Sequence, residues 1–572
     1  MNRQLILSVL LVLLLIIVSL SIILGIEMQK NKNTILNEQD SNREYDRQIK
    51  ALYDEGEEIF FCDPRVEQII RAMILKPTGK LYKREVEDIT ELEINRVDYI
   101  DLTGIEHLSG LKELTVHSCG IRDIENIKDL TNLVKLDLSY NKIADITSIK
   151  SLTNLVDLRL RVNNIDNISS LEYLTNLEHL DLYRNEIRDI ESLKNLIKIK
   201  ELDLSYNHIK EISSLKELKN LHCLILVKNQ VIDVEGLKEL YALNTLDLGS
   251  NDITDISSLE RLVNLKNLDL GTNKIEDIKP LHNLKNLKFL ILDYNKISNL
   301  DLLSNHTNIK VLGLSGNNVT DIKSLKKLKN LETIDISSNL ILDITALNNS
   351  NKLKYVYAED NFINSLEKLE GLPQLKELDL SGNILTEIKG IEKLDSLNKL
   401  NLERNLIDDI KELSSLVNLS HLRLSNNKIS DISQLTRLRN LEVLDIRNNQ
   451  VEDITPLWKL PKLGDFDFQG NPVPNYFFYQ SQYEDFIISM LSPYICEAID
   501  EYYGESRAYM NANVLEIKKL NGYRIKVRVE TFTGAHNPPY GIETITFDKY
   551  IDEVKVIEFH HSDETLDLNS LY

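Results

Sequence analysis

The chain has 572 residues, with 89 acidic against 67 basic side chains and a formal net charge of -22. That balance excludes nucleic-acid binding through a general phosphate-attracting field. Four cysteines stand far apart without a CxxC pair, so neither a zinc site nor a disulfide framework is signalled.

From Leu5 to Ile26 the sequence LILSVLLVLLLIIVSLSIILGI is an uncharged run of 22 residues. As a helix of about 33 Å it is long enough to cross about 30 Å of hydrocarbon. Residues 1–26 are therefore expected to be a transmembrane signal anchor, since the run exceeds the apolar core of a cleavable signal peptide and no small-x-small site follows. Arg3 on one side faces Lys30 and Lys32 on the other, so charge counting leaves the orientation open. The short amino-terminal tail favours export, and the expected location is the cell membrane, single-pass, with the bulk of the chain extracytoplasmic. Residues 27–56 are polar and read as a stalk.

Residues 57–88 read as a helical N-terminal cap. In DPRVEQIIRAMILKPTG, Asp63 is placed to cap a helix opened by Pro64, with Val66, Ile69, Ile70, Met73 and Ile74 on one face and Pro-Thr-Gly as the stop. From 89 to 474 the pattern LxxLxLxxNxI recurs, its Asn standing at every 22nd residue from Asn141 to Asn471. One step earlier Cys119 holds that position, and one earlier again Val97, giving eighteen turns in register. Each LxL contributes a short strand whose leucines face inward. The Asn falls at the turn, where its amide can donate to and accept from backbone groups that no ladder serves. In the second half, as in IADITSIKSLTNL from Ile143, apolar residues recur at threes and predict a 3₁₀-like return. Ten aspartates from Asp145 to Asp453 share the column just before that return, where they are expected to cap free N–H groups rather than hold metal.

This pattern resembles the leucine-rich repeat. Its 22-residue length and DIxxLxxLxxL return resemble the internalin-like class of bacterial cell-surface proteins and the regulatory subunit of a eukaryotic protein phosphatase. The resemblance implies an α/β solenoid, a horseshoe of about 18 turns with a parallel concave sheet and a 3₁₀-like convex side. It also implies a non-enzymatic scaffold that binds a partner protein. The preceding amphipathic helix is similar to the cap of internalin-type arrays, which favours the bacterial analogy.

Residues 475–572 predict a small α+β domain. YEDFIISMLSPYICEAIDEYYG has helical periodicity as far as Gly504, with Pro493 able to kink the helix or begin a second one. VLEIKKL, YRIKVRVETFTG, IETITF and EVKVIEF alternate as strands, and Asn521-Gly522 is a hairpin signal. LSPYICEAIDEYYG and TGAHNPPYGIETITF resemble an uncharacterised domain of exported proteins of Gram-positive bacteria, a resemblance that implies no mechanism. The chain lacks HExxH, GxSxG, a P-loop and a Rossmann glycine run. The nearest catalytic candidates are His536, Asn537 and Tyr540, read as a rigid turn, and His560 with His561, read as a solvated strand end. No cofactor or metal is expected.

The outward position between the strand leucines is Asp in nine of the sixteen Asn-bearing turns, from Asp137 to Asp467. That column reads as a solvated acidic face or as a lure for a cationic partner. Ile225, Ile291 and Tyr357 break it, and with Val227, Phe289, Tyr294, Val311 and Tyr355 they form the expected partner-binding site, because clustered exposed apolar side chains mark binding surfaces. The expected function is a membrane-anchored extracytoplasmic scaffold recognising a partner protein on its concave face. Two alternatives stand beside it: a cytoplasmic-facing regulatory scaffold similar to the phosphatase subunit, and an enzyme or small-ligand activity in the C-terminal domain.

Overall fold

The computed structural model describes residues 56–473, 481–504, 508–519, 523–532, 541–549 and 554–562. The expected anchor Leu5–Ile26 and the stalk up to residue 55 lie outside the described residues. Among the described residues no helix is long and apolar enough to cross a membrane.

Two compact units are present, the first containing residues up to Thr90 together with Leu102–Gly110. Here β1 (Glu58–Ile59) pairs antiparallel with β2 (Leu81–Tyr82), and α1 (Pro64–Met73) connects them. Asp63 caps α1 as expected, its carboxylate accepting the Arg65 N–H at 2.9 Å. The apolar face is narrower than the sequence suggests: Val66 and Ile70 are buried, but Met73 is exposed. The reason is that α1 ends at Met73 and Leu75 turns left-handed at φ 54°, so no further turn continues the stripe. Gly104 has φ 106°, and a Cβ there would lie 2.4 Å from the Phe60 carbonyl oxygen, so glycine is required.

The second unit holds Glu91–Asp101 and everything from Leu111 onward. Its array consists of β3 (Glu91–Asn95) to β20 (Asp465–Asp467), eighteen strands each paired parallel with the next in sequence. Every pairing is offset by 22 residues, as in Leu268, Leu290 and Leu312, so equal positions form straight columns across the sheet. The inward leucines are buried, and most returns are short 3₁₀ segments such as Ser257–Leu259 and Lys279–Asn283. All ten aspartates before the returns accept the backbone N–H two residues on at 2.8–2.9 Å, as Asp145 does from Thr147 and Asp277 from Lys279.

Adjacent turns are tied by the asparagines. Asn295 donates from Nδ2 to the carbonyls of Leu270 at 2.9 Å and Leu292 at 3.1 Å, and its Oδ1 accepts the Ile275 N–H at 2.9 Å. The same set recurs from Asn141 to Asn471, and strand-end carbonyls between these ends are shared, Leu270 also accepting from Asn273. At Cys119 the thiol takes up the donor role, its Sγ donating to the Ile94 and His117 carbonyls at 3.4 and 3.3 Å. A second asparagine ladder lies on the return side, where Asn264, Asn286 and Asn308 each donate to a carbonyl of the preceding turn. Forming the turn demands left-handed backbone: from Arg96 to Gly470 the residue before each turn asparagine, or its equivalent, has φ 50–77°, and most of these are not glycine.

The C-terminal α+β domain comprises α2 (Ser481–Tyr503), which passes through Pro493 as one helix, and four strands. β21 (Ala508–Lys519), β22 (Tyr523–Phe532), β23 (Gly541–Lys549) and β24 (Val554–Ser562) form an antiparallel meander. Ile525, Val527 and Val529 alternate inward along β22 and pack with Leu491, Ile495 and Phe547 in one core.

Candidate functional site

The exposed sheet face is organised by the strand register. Phe289, Val311, Thr333 and Tyr355 occupy successive places in one outward column, and Ile291, Gly313, Asp335 and Tyr357 in the next. Three strand steps of about 4.8 Å separate Phe289 from Tyr355, about 14 Å in all. The structure thus brings five of the expected residues onto one stretch, with Thr333 and Asp335 standing between the Phe289–Ile291–Val311 group and the tyrosine pair. Phe289 is 44% exposed, and Ile291, Val311, Tyr355 and Tyr357 are half-buried. Ile225 and Val227 lie three strands earlier, also half-buried. Tyr294 is placed differently: it is the left-handed turn residue at φ 51°, and its ring covers Gly316, where a Cβ would lie 2.5 Å from it.

The acidic column reads differently in the structure. Each of its nine aspartates accepts the backbone N–H two residues on at 2.8–3.1 Å, as Asp247 does from Gly249 and Asp379 from Ser381. The carboxylate closes the strand end, so its first role is structural rather than that of a solvated face or a lure. Ile291 belongs to a local exchange of this role. Asp293, two residues on, reaches into the following turn and accepts the Ser315 N–H at 2.7 Å. It fits because the column residue there is Gly313, whose absent Cβ would lie 2.7 Å from both Asp293 oxygens.

Burial, reinforced by neighbouring carboxylates, pushes Asp247 and Asp293 up to about 6, against the opposing pull of their backbone hydrogen bonds. For Asp247 the neighbours are Asp269 and Asp203; for Asp293 they are Asp335 and Asp269. Among the described residues no Lys or Arg pairs with Asp247, Asp269 or Asp293. The first turns differ: a groove of about 700 Å³ there is lined by Asp137, Arg159, Arg161, His179 and Asp181. Its cations are already engaged, Arg159 with Asp157 at 2.9 Å and Arg161 with Asp181 at 3.1 Å. The centre of the face therefore combines apolar surface with uncompensated negative charge.

In the C-terminal domain, His536, Asn537 and Tyr540 lie outside the described residues. His560 is exposed and pairs with Glu558 at 2.8 Å. His561 is not a solvated strand end: its Nδ1 lies 3.1 Å from both oxygens of Glu543, whose side chain is fully buried. Tyr503 donates to the same carboxylate at 2.5 Å. The cluster satisfies a buried carboxylate, and its signal in sequence is only the alternation that turns Glu543 inward. Among the described residues no group of three His, Cys, Asp or Glu side chains is placed to hold a metal ion.

A family model described as Leucine Rich repeats (2 copies) matches residues 89–151, 153–195, 241–283, 307–349, 351–393, 375–415 and 417–457, together more than half of the chain. Residues 483–563 match Protein of unknown function (DUF3888). No curated protein matches. Among solved structures, an internalin from Listeria monocytogenes is 27% identical, with 64% of this chain and 96% of that one covered and a TM-score of 0.53. A leucine-rich-repeat protein of Leptospira interrogans is 26% identical over 69% of this chain and 98% of its own, with a TM-score of 0.56. The ectodomain of a membrane receptor kinase from Arabidopsis thaliana, solved in complex with CASPARIAN STRIP INTEGRITY FACTOR 2, shares the fold at 20% identity and a TM-score of 0.51, with 68% of this chain and 60% of that chain covered.

Proposed function

Because the chain belongs to the leucine-rich-repeat family, we propose that it is a scaffold holding a partner protein against the exposed sheet face of its repeats, over the stretch from Ile225 to Tyr357. One observation carries this reading. The aspartate column, which closes strand ends in nine turns, gives way at Ile225, Ile291 and Tyr357 to apolar or aromatic side chains beside Val227, Phe289, Val311 and Tyr355. Replacing a strand-closing carboxylate by a half-buried apolar group costs a hydrogen bond and leaves apolar surface in water, and contact with a partner offsets both. In this reading the run Leu5–Ile26 tethers the chain to the membrane and the array stands outside the cytoplasm.

Capture experiments with the full-length chain in detergent test the face. The Phe289→Asp, Ile291→Asp double variant keeps the fold, since Asp is what nine other turns carry at the Ile291 position. A partner retained by the unmodified chain and lost by the variant is the expected result; equal capture by both overturns the reading. Location is tested separately through Cys62, which is exposed. A membrane-impermeant maleimide labels it on intact cells if the array is extracytoplasmic and only after lysis if it is not.

A further inference from the structure

On the loop edge that follows the sheet, four consecutive turns carry large apolar residues in the column directly after the turn asparagine: Leu340, Phe362, Ile384 and Leu406. All four are 41–47% exposed. The column is polar on either side of this run, with Lys296 and Asn318 before it and Lys428 and Gln450 after it. Backbone hydrogen bonds stack the four in register, the N–H of each donating to the carbonyl 21 residues earlier at 2.9–3.1 Å. Leu342, also exposed, widens the first step. Three steps of about 4.8 Å make a ridge about 14 Å long, the length of about ten residues of α-helix. The turn itself does not require these side chains, because Lys, Asn and Gln serve at the same position in other turns.

We propose that this ridge is a second docking surface, which takes an amphipathic basic segment of a partner protein. Charge decides the occupant. Glu359, Asp360 and Glu403 flank the ridge on the sheet side and Asp343, Glu387 and Asp408 on the return side. The cation in these columns, Arg404, is paired with Asp360 at 3.1 Å and offsets only part of that charge. Burial first, and then the neighbouring Asp379, Asp360 and Asp335, hold the Glu359 carboxyl above its usual range, with Arg404 pulling the other way. A second copy of this chain would set two such acidic borders against each other, whereas a segment with apolar residues on one face and Lys or Arg beside them meets both features. The ridge shares none of the residues of the proposed sheet-face site, so each can fail without the other.

The test uses the full-length chain in non-ionic detergent, with empty micelles as blank, and a fluorescent synthetic helix of about 18 residues bearing leucines on one face and lysines on the flanks. Anisotropy is expected to show saturable binding, weakened at least about tenfold by Phe362→Ser with Ile384→Ser. The Phe289→Asp, Ile291→Asp variant is expected to bind the peptide as the unmodified chain does. A peptide with glutamates in place of lysines is expected to bind at least about tenfold more weakly. Equal binding by the ridge variant, or by the glutamate peptide, overturns the proposal. So does a dimer in sedimentation that the ridge substitutions dissolve, which would make a second copy the occupant. If the double variant loses its circular dichroism, Phe362→Lys alone replaces it, adding to an exposed position a charge that repels the probe.

Discussion

Replacing Asn295 by Ala removes four hydrogen bonds at a single place in the array: those to the carbonyls of Leu270, Leu292 and Asp293, and the one accepted from Ile275. The losses are unequal. Leu270 keeps a bond from Asn273 and Leu292 one from Asn317, so each carbonyl loses only one of two donors. The Ile275 N–H, in a fully buried residue, loses the acceptor shown for it. An orphaned buried donor costs about 1–3 kcal/mol and each of the three weakened carbonyls about 0.5–1, so the expected destabilisation is about 2.5–6 kcal/mol. Urea unfolding followed by circular dichroism reads this as a lower midpoint. Because a solenoid is held by nearest-neighbour contacts, hydrogen exchange in the turns around Asn273 and Asn317 should rise more than near either end of the array. A loss below about 1 kcal/mol, or exchange raised uniformly, would refute the asparagine as the link between turns.

Thr272 is a β-branched residue held at φ 55°, so Thr272→Gly should stabilise the array by about 0.5–1 kcal/mol in the same assay. Gly313→Ala should destabilise, because the new Cβ meets the Asp293 carboxylate at 2.7 Å, and a double-mutant cycle with Asp293→Ala should show coupling of about 1 kcal/mol. Asp247 and Asp293 are pushed to about 6 from an ordinary 3.8, so between those values the folded chain binds more protons than the unfolded one. Their contribution to stability is full below about pH 4 and is lost as pH rises through about 6. Asp247→Asn with Asp293→Asn should therefore lose less stability between pH 4 and 7 than the unmodified chain, read as urea midpoints at each pH.

The repeat was legible because one residue type per column suffices: leucines at alternate positions turn inward, and an asparagine at every 22nd residue has no other ready explanation. The caps before the returns were legible for the same reason, a short carboxylate beside free N–H groups. The outward aspartates were not, because an exposed acid looks alike in sequence whether it faces water or closes a strand, and only the N–H two residues on distinguishes the two. Ile291 shows the difficulty well. Its column carries Gly313 one turn later, and the exchange of roles with Asp293 appears only when both turns are placed side by side. The ridge from Leu340 to Leu406 was open to discovery by reading down the column after the asparagine, a position the repeat pattern leaves unspecified. The cap's Met73 and the inward Glu543 depend on where elements end and what covers them, which periodicity does not encode.

The proposed sheet-face site is tested most directly by a photo-crosslinking amino acid placed at Phe289, and in parallel at Asn286 on the return side, in the full-length chain within the cells that produce it. Illumination is expected to join one defined protein to the chain from position 289 and not from position 286. Crosslinks absent at 289, or identical from both positions, would contradict the proposed site.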